Sequence, residues 1–126
     1  MGLNNKVHLD QVAETLKARG ITAESLSDDP EIGVAIHFHT EMLDCNDRFC
    51  EMTGYGRDEI VGAKAWMFTP PESVEIILKQ LNMLSETPYE ITALKKGAIP
   101  MQVEVTGRNF DLGEGNIARA ILVREL

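Results

Sequence analysis

The 126-residue chain is 44% apolar with five prolines spread along it, which fits one globular domain with a sizeable core and leaves no room for a second. Twenty acidic residues against 12 Lys plus Arg give a formal net charge of −8, which repels phosphate backbones and anionic lipid surfaces and argues against a nucleic-acid partner. No basic run leads into an apolar N-terminal stretch and nowhere do about 18 apolar residues run uninterrupted, so neither a signal peptide nor membrane insertion is expected. The chain reads as cytoplasmic, with its two cysteines as reduced thiols.

Near the N-terminus Leu9, Val12, Ala13 and Leu16 recur at helical spacing, after Asn4 or Asn5 as caps and before Gly20 as a stop. This predicts an amphipathic helix. The polar segment 27–33, with Pro30 and Gly33, is a connector, and the main domain begins near Ile32. "GVAIHF" and "EMLDC" predict two short strands joined at His39-Thr40. Asn46 is placed to cap a short helix through Met52, with Gly54 as its left-handed terminator. A second short helix, Arg57 to Val61, stops at Gly62. Thr69 and Glu72 around two prolines read as a capping box. Val74, Ile77, Leu78, Leu81 and Leu84 then mark the buried stripe of the longest helix, to about Ser85.

In the last third the period changes to two. Ile99, Met101, Val103 and Val105 alternate with Pro100, Gln102, Glu104 and Thr106, after a turn at Lys95, Lys96 and Gly97 and a hairpin arm from Tyr89 to Leu94. "LGEG" (112–115) turns the chain into a final strand over 116–125, with Ile117, Ile121 and Val123 on one face and Ala118, Ala120 and Leu122 on the other. A strand apolar on both faces is covered on both sides. One face meets the core; the other needs the N-terminal helix or a second subunit.

"CNDRF" after the second strand, "MTGYGRDEIVG", "LKKGAIPMQVEV" and the ending "ILVREL" together resemble the PAS sensory domains: an Asn-x-x-Phe, a helix with Gly-Tyr and a short acidic helix, a charged turn with a long strand, and a final strand. In that family the final strand commonly runs into an Asp-Ile-Thr junction, and here Glu125-Leu126 stand in its place. The resemblance implies an α+β fold: a five-stranded antiparallel sheet with helices on one face, a pocket between sheet and long helix, and an N-terminal amphipathic cap helix on the outer face. It divides the chain into cap helix and connector (1–31) and PAS core (32–126). It also implies structural roles for Asn46, Gly54, Tyr55, Glu59 and Gly62, an ion pair from Glu59 to Lys95 or Lys96, and a homodimer. The cap and dimer surface would comprise Leu9, Val12, Ala13, Leu16, Ile117, Ile121 and Val123.

The pocket so implied draws Ile36, Met42, Cys45, Ile91, Met101, Val103 and Leu122 from strands and Phe49, Met52, Ile77 and Leu81 from helices, with Trp66 at its edge. Its occupant is a small apolar or aromatic ligand, or none. The methionines suit either an adaptable pocket or plain core filling. Cys45 and Cys50 have no second Cys or His pair to close a tetrahedral metal site and read as small buried hydrophobes. The light-sensing branch of the family attacks flavin with a cysteine in an Asn-Cys-Arg-Phe context, whereas "CNDRFC" lies in the earlier segment. The helix region "MFTPPESVEIILKQL" holds no histidine for a haem iron, and His8, His37 and His39 read as surface residues. No cofactor is therefore assigned, with flavin and haem disfavoured.

No phosphate-cradling loop, nucleophile elbow or phosphoacceptor context is present. The expected function is a non-catalytic sensory and dimerisation module of a signalling protein, acting beside an effector such as a histidine kinase, a cyclic-dinucleotide enzyme or a transcriptional regulator. The rivals are a dimerisation scaffold with a filled core and a small cavity enzyme using Asp44 or His37 as general base.

Overall fold

The computed structural model describes the backbone of residues 2–126 and the side chains of residues 8–126. Strands β1 (Ile32–Phe38), β2 (Glu41–Cys45), β3 (Tyr89–Lys95), β4 (Ile99–Asp111) and β5 (Ile117–Glu125) form an antiparallel sheet in the order β2-β1-β5-β4-β3. The helices are α1 (Gly2–Ala18), α2 (Asp47–Thr53), α3 (Arg57–Ile60) and α4 (Pro71–Met83), with 3-10 turns at Glu24–Leu26 and Ala65–Phe68. The cap expected at Asn4 or Asn5 lies outside the described side chains.

β1 sits near the middle of the sheet and is buried at every position, because both faces are covered. On one face α1 packs Val12 and Leu16 against Ile36, Phe38, Ala118 and Ala120, with Leu9 at the margin. Burial of Val12 and Leu16 stabilises the contact by roughly 1.5–3 kcal/mol each. His8 hydrogen-bonds Asn116 at 3.1 Å and Arg19 donates to the Asp111 carbonyl at 3.0 Å, so α1 is tied to the β4–β5 turn from within the helix and from just past its C-terminus. α1 thus covers the outer face within its own chain. Ala13 is half-buried and lines a groove beside α1 with Ile21 and Leu43. On the other face lies the main core, built from Phe49 and Met52 of α2, Ile60 of α3, Phe68, and strand residues such as Ala35, Cys45, Val103 and Val123.

The faces of the two central strands differ from the expectation. Ala35 pairs with both Cys45 and Ile121, and Gly33 with Val123, which puts Ile121 and Val123 on the helix-covered face with the main core. Strand alternation carries Ile117 to the same side. Ile36 and Leu122, expected in the pocket, pack instead in the apolar layer under α1. A strand apolar on both faces has no period-two signal to say which side meets which layer; only register decides it.

Asn46 joins α2 to the sheet. Its side-chain oxygen accepts from Phe49 N–H and Val34 N–H, both at 2.9 Å, and its amide donates to the Ile32 carbonyl at 3.1 Å. Gly54 ends α2 at φ 80°, with its N–H on the Cys50 carbonyl at 2.9 Å. At Gly33 a β-carbon would stand 2.6 Å from Met52 Sδ and 3.1 Å from the Phe49 backbone, so the missing side chain lets α2 lie against β1.

The capping box expected from Thr69 and Glu72 is not formed. Pro70 is the N-cap of α4, Pro71 begins the helix, and the Thr69 hydroxyl donates to the Ala65 carbonyl at 3.3 Å. Proline's extended φ/ψ sets the boundary one residue later. The reciprocal carboxylate contact appears at α3 instead, where Glu59 accepts from Gly56 N–H at 3.0 Å. α4 ends at Met83 with Leu84 left-handed at φ 48°, and Leu78 and Leu84 of the expected stripe are exposed. The β1–β2 turn holds His39 and Thr40 at φ 48° and 66°, a conformation that strains a β-branched residue.

Candidate functional site

Between the sheet and α4 lies a cavity whose space open to a water-sized sphere is about 70 Å³. About 10–15 Å³ on that measure admits one water, so a molecule of several atoms fits. The cavity exists because the strands beneath present small residues, Ala93 and Val105 among them, while Ile77 and Leu81 of α4 roof it without being fully buried. Phe68 and Phe49 meet edge-on at 5.2 Å on one wall, and Tyr55 closes against Phe68 at 5.6 Å from outside the lining.

Of the residues proposed from sequence, Met42, Phe49, Ile77, Leu81, Ile91, Met101 and Val103 line this cavity. Cys45 and Met52 belong to the surrounding core and do not reach it. Trp66 is half-buried on the 3-10 turn outside the lining, and Phe68, two residues on, takes the inward position. Sequence reasoning missed Tyr89, Ala93 and Val105, and also Ile121 and Val123, which it had assigned to the outer face. It missed Arg119 on the polar wall, and it named His37 there only as the general base of the rival cavity enzyme.

That wall is His37 and Arg119, neighbours across β1 and β5. Both are buried, at 5% and 3% exposure, so His37 is not the surface residue its strand position suggested. The Arg119 guanidinium donates from Nη1 to Asn109 Oδ1 at 2.8 Å and from Nη2 to the Ser85 carbonyl at 2.5 Å. Asn109 in turn donates to the Leu84 carbonyl at 2.7 Å, so the pair clamps the chain just after α4. Gly107 makes the space: a β-carbon there would stand 2.1 Å from Arg119 Nη2. His37 Nδ1 is buried and has no hydrogen-bond partner among the described residues. Burial, with the Arg119 charge added to it, lowers the His37 pKa to about 4, and burial lowers that of Arg119 and raises that of Tyr89. A signal was available for Arg119, since a charged residue between Ala118 and Ala120 on a doubly covered strand has nowhere to go but inside.

The general base considered at Asp44 faces away from the cavity. Its carboxylate accepts from Ala23 N–H at 2.9 Å and pairs with Arg57 at 3.1 Å, and Arg57 bridges on to Glu24 at 3.1 Å. Across the helical segment, Glu59 pairs with Lys96 at 3.0 Å, while Lys95 pairs with Glu125 at 3.4 Å. The Glu59 pKa is lowered, first by the Gly56 N–H and then by Lys96. Gly62 at φ 91° ends the α3 segment, with its N–H on the Met42 carbonyl at 2.8 Å.

The model of the PAS domain family matches residues 32–124. The chain belongs to the PAS domain family. Its N-terminal helix precedes the matched segment, and the sheet order, the Asn46 brace and the Glu59–Lys96 pair lie within it. Among curated proteins nothing matches. Solved structures similar to it include a PAS domain from a two-component sensor histidine kinase, at 12% identity and a TM-score of 0.68, covering 90% of this chain and 99% of that one. The PAS domain of an HTR-like protein from Haloarcula marismortui is 21% identical with a TM-score of 0.65, covering 98% of each chain. The PAS domain of a LuxR-family transcriptional regulator from Burkholderia thailandensis, in complex with ethanol, is 21% identical with a TM-score of 0.63, covering 75% and 88%. At these identities the likeness is one of fold. PAS domains are sensory signalling modules as a class, and no described helix of this one is long and apolar enough to cross a membrane.

In this PAS domain the two cysteines stand with Sγ atoms 3.7 Å apart, Cys45 buried and Cys50 half-buried. Burial and the Cys50 contact push the Cys45 thiol up to about 12. The thiolate is the reactive form. At pH 8 a maleimide is therefore expected to label Cys50 first and Cys45 only on unfolding; equal labelling of both in the folded protein, read by mass spectrometry after digestion, would contradict the buried placement.

Proposed function

We propose that this PAS domain is a non-catalytic sensory module whose cavity takes a small, mainly apolar molecule and whose response is read by a partner or effector. The observation that carries this reading is the cavity of about 70 Å³ beneath a loosely seated α4. Ile76, Leu78 and Met83 of that helix are exposed, so the roof has less burial holding it than the rest of the core. A ligand beneath α4 shifts the balance between two seatings of the helix by its differential affinity for them. Arg119 and Asn109 couple the end of α4 to the central strands, and β5 carries the bias to its C-terminal end, where Glu125 meets Lys95.

Several finer features belong to the same reading. Residues 32–126 act as the sensing core and 1–31 as cap helix and connector. The domain works in the cytoplasm as a homodimer paired through the α1 face, where Leu16, Ile21 and Leu43 leave an apolar groove. The effector is a kinase, a cyclic-dinucleotide enzyme or a transcriptional regulator, in line with the histidine-kinase and LuxR-family neighbours. A ligand as small as the ethanol in the latter suits the cavity. The module does no chemistry of its own: Asp44 is turned away, and His37 lies beside Arg119 rather than a carboxylate.

Val105→Phe tests the cavity. The added ring occupies the space below α4, so binding of toluene, followed by calorimetric titration, is expected to weaken at least tenfold while circular dichroism keeps the native signature. Undiminished binding would place the ligand elsewhere. Absence of binding to the unmodified protein would favour the filled scaffold.

A further inference from the structure

The cavity lining is mainly apolar, and the wall formed by His37 and Arg119 carries a positive charge with no ion-pair partner among the described residues. Among the described residues Arg119 forms no ion pair; its contacts are an amide oxygen and a backbone carbonyl. The nearby negative charge acting on it is that of Glu86, an exposed carboxylate that accepts from Asn109 N–H at 2.8 Å and makes no ion-pair contact with the guanidinium. A buried guanidinium with no carboxylate in contact is costly, and it is kept here beside Gly107, a glycine within a paired strand. His37 adds a ring nitrogen, buried and unpartnered, on the same wall.

From these groups we infer that the ligand is a small monocarboxylate with an apolar tail, its head on Arg119 and the His37 ring nitrogen and its tail among Phe68, Met101 and Val105. The inference rests on the cavity reading above and sharpens it to a chemical class. A planar guanidinium matches a carboxylate by paired N–H donors, and charge-assisted hydrogen bonds are strong where water is excluded. Neutral imidazole with its proton on Nδ1 supplies one further donor. One positive charge matches one negative charge, so a dianionic phosphate would enter the apolar site half-neutralised. The carboxylate also competes with the Ser85 carbonyl for Arg119 Nη2, which makes occupancy loosen the clamp after α4.

The test compares butyrate with butyramide, equal in shape and different in charge, by NMR titration of the full chain at pH 7.5 and low salt. Butyrate is expected to bind at least tenfold more tightly, to shift resonances of residues lining the cavity, and to lose its preference in Arg119→Gln. If that variant does not fold, Gly107→Ala, which displaces the guanidinium, is expected to cut the preference in the same way. Equal binding of acid and amide overturns the charged-head inference and leaves the apolar cavity reading standing. Acetate binding as tightly as butyrate overturns the apolar tail. If neither these molecules nor toluene bind, the cavity reading fails and takes this inference with it.

Discussion

Asn46→Ala is expected to lower the stability of the folded domain by about 3 kcal/mol and its Tm by roughly 10 °C. The side chain is the only part of Asn46 altered, and three hydrogen bonds go with it: the cap on Phe49 N–H, the bond to Val34 N–H and the bond to the Ile32 carbonyl. Loss of an N-cap alone costs about 1 kcal/mol. Val34 is fully buried, so its N–H is left without a partner or water, which adds a penalty of about 1–3 kcal/mol. Asn46→Asp keeps both acceptor roles but sets a carboxylate oxygen against the Ile32 carbonyl in place of the amide donor, so its loss is expected to be smaller than that of the alanine variant, about 1–2 kcal/mol. Urea denaturation followed by circular dichroism measures both. A loss below about 1 kcal/mol for the alanine variant would show that Asn46 does not hold α2 on β1.

His37 is expected to make stability fall by about 3 kcal/mol as pH drops through the range from 6.5 to about 4. Its pKa is depressed in the fold, so the unfolded chain takes up the proton first on acidification. Stability from the neutral ring is therefore complete above the unfolded value of 6.5, declines below it, and levels off under about pH 4 once both states are protonated. Carboxylates titrate in the lower part of the window, and a variant separates the two. His37→Leu should flatten the slope between pH 7 and about pH 5 and leave the more acidic fall in place. An unchanged slope in the variant would mean that His37 is not held neutral by burial next to Arg119.

Much of the architecture was legible because it rests on local signals. Asn46 and Gly54 bracket α2 through one cap and one left-handed residue, and both work at short range. The alternation of Met101, Val103 and Val105 identified the inner face of β4 for the same reason. Where the reading failed, the deciding information was long-range. Ile36, Leu122, Ile121 and Val123 sit on strands apolar on both faces, and their sides follow from pairings such as Ala35 with Ile121. Residues in β1 and β5 are separated by the whole helical segment, and no local pattern encodes their register.

The candidate site shows the same division. Seven of the residues named from the sequence, such as Phe49 and Met101, line the cavity because core-facing apolar positions and cavity-lining ones largely coincide. Arg119 was not found, and His37 entered only as the general base of the rival enzyme while being read as a surface residue, because burying a guanidinium or an imidazole runs against the local preference of both residue types. Such departures from local consistency concentrate at functional sites. The sequence reading did not single out Gly107, whose role emerges only with the guanidinium placed over it.

The central claim is that the space beneath α4 is a binding cavity. An amide-correlation NMR titration of the full chain with toluene tests it most directly. The account predicts saturable shifts concentrated on Phe68, Leu81, Val105 and Ile121, four residues that surround one cavity from α4, the preceding turn and the sheet. Shifts confined to the groove beside α1, or none at saturating ligand, would contradict it and leave the domain as a scaffold.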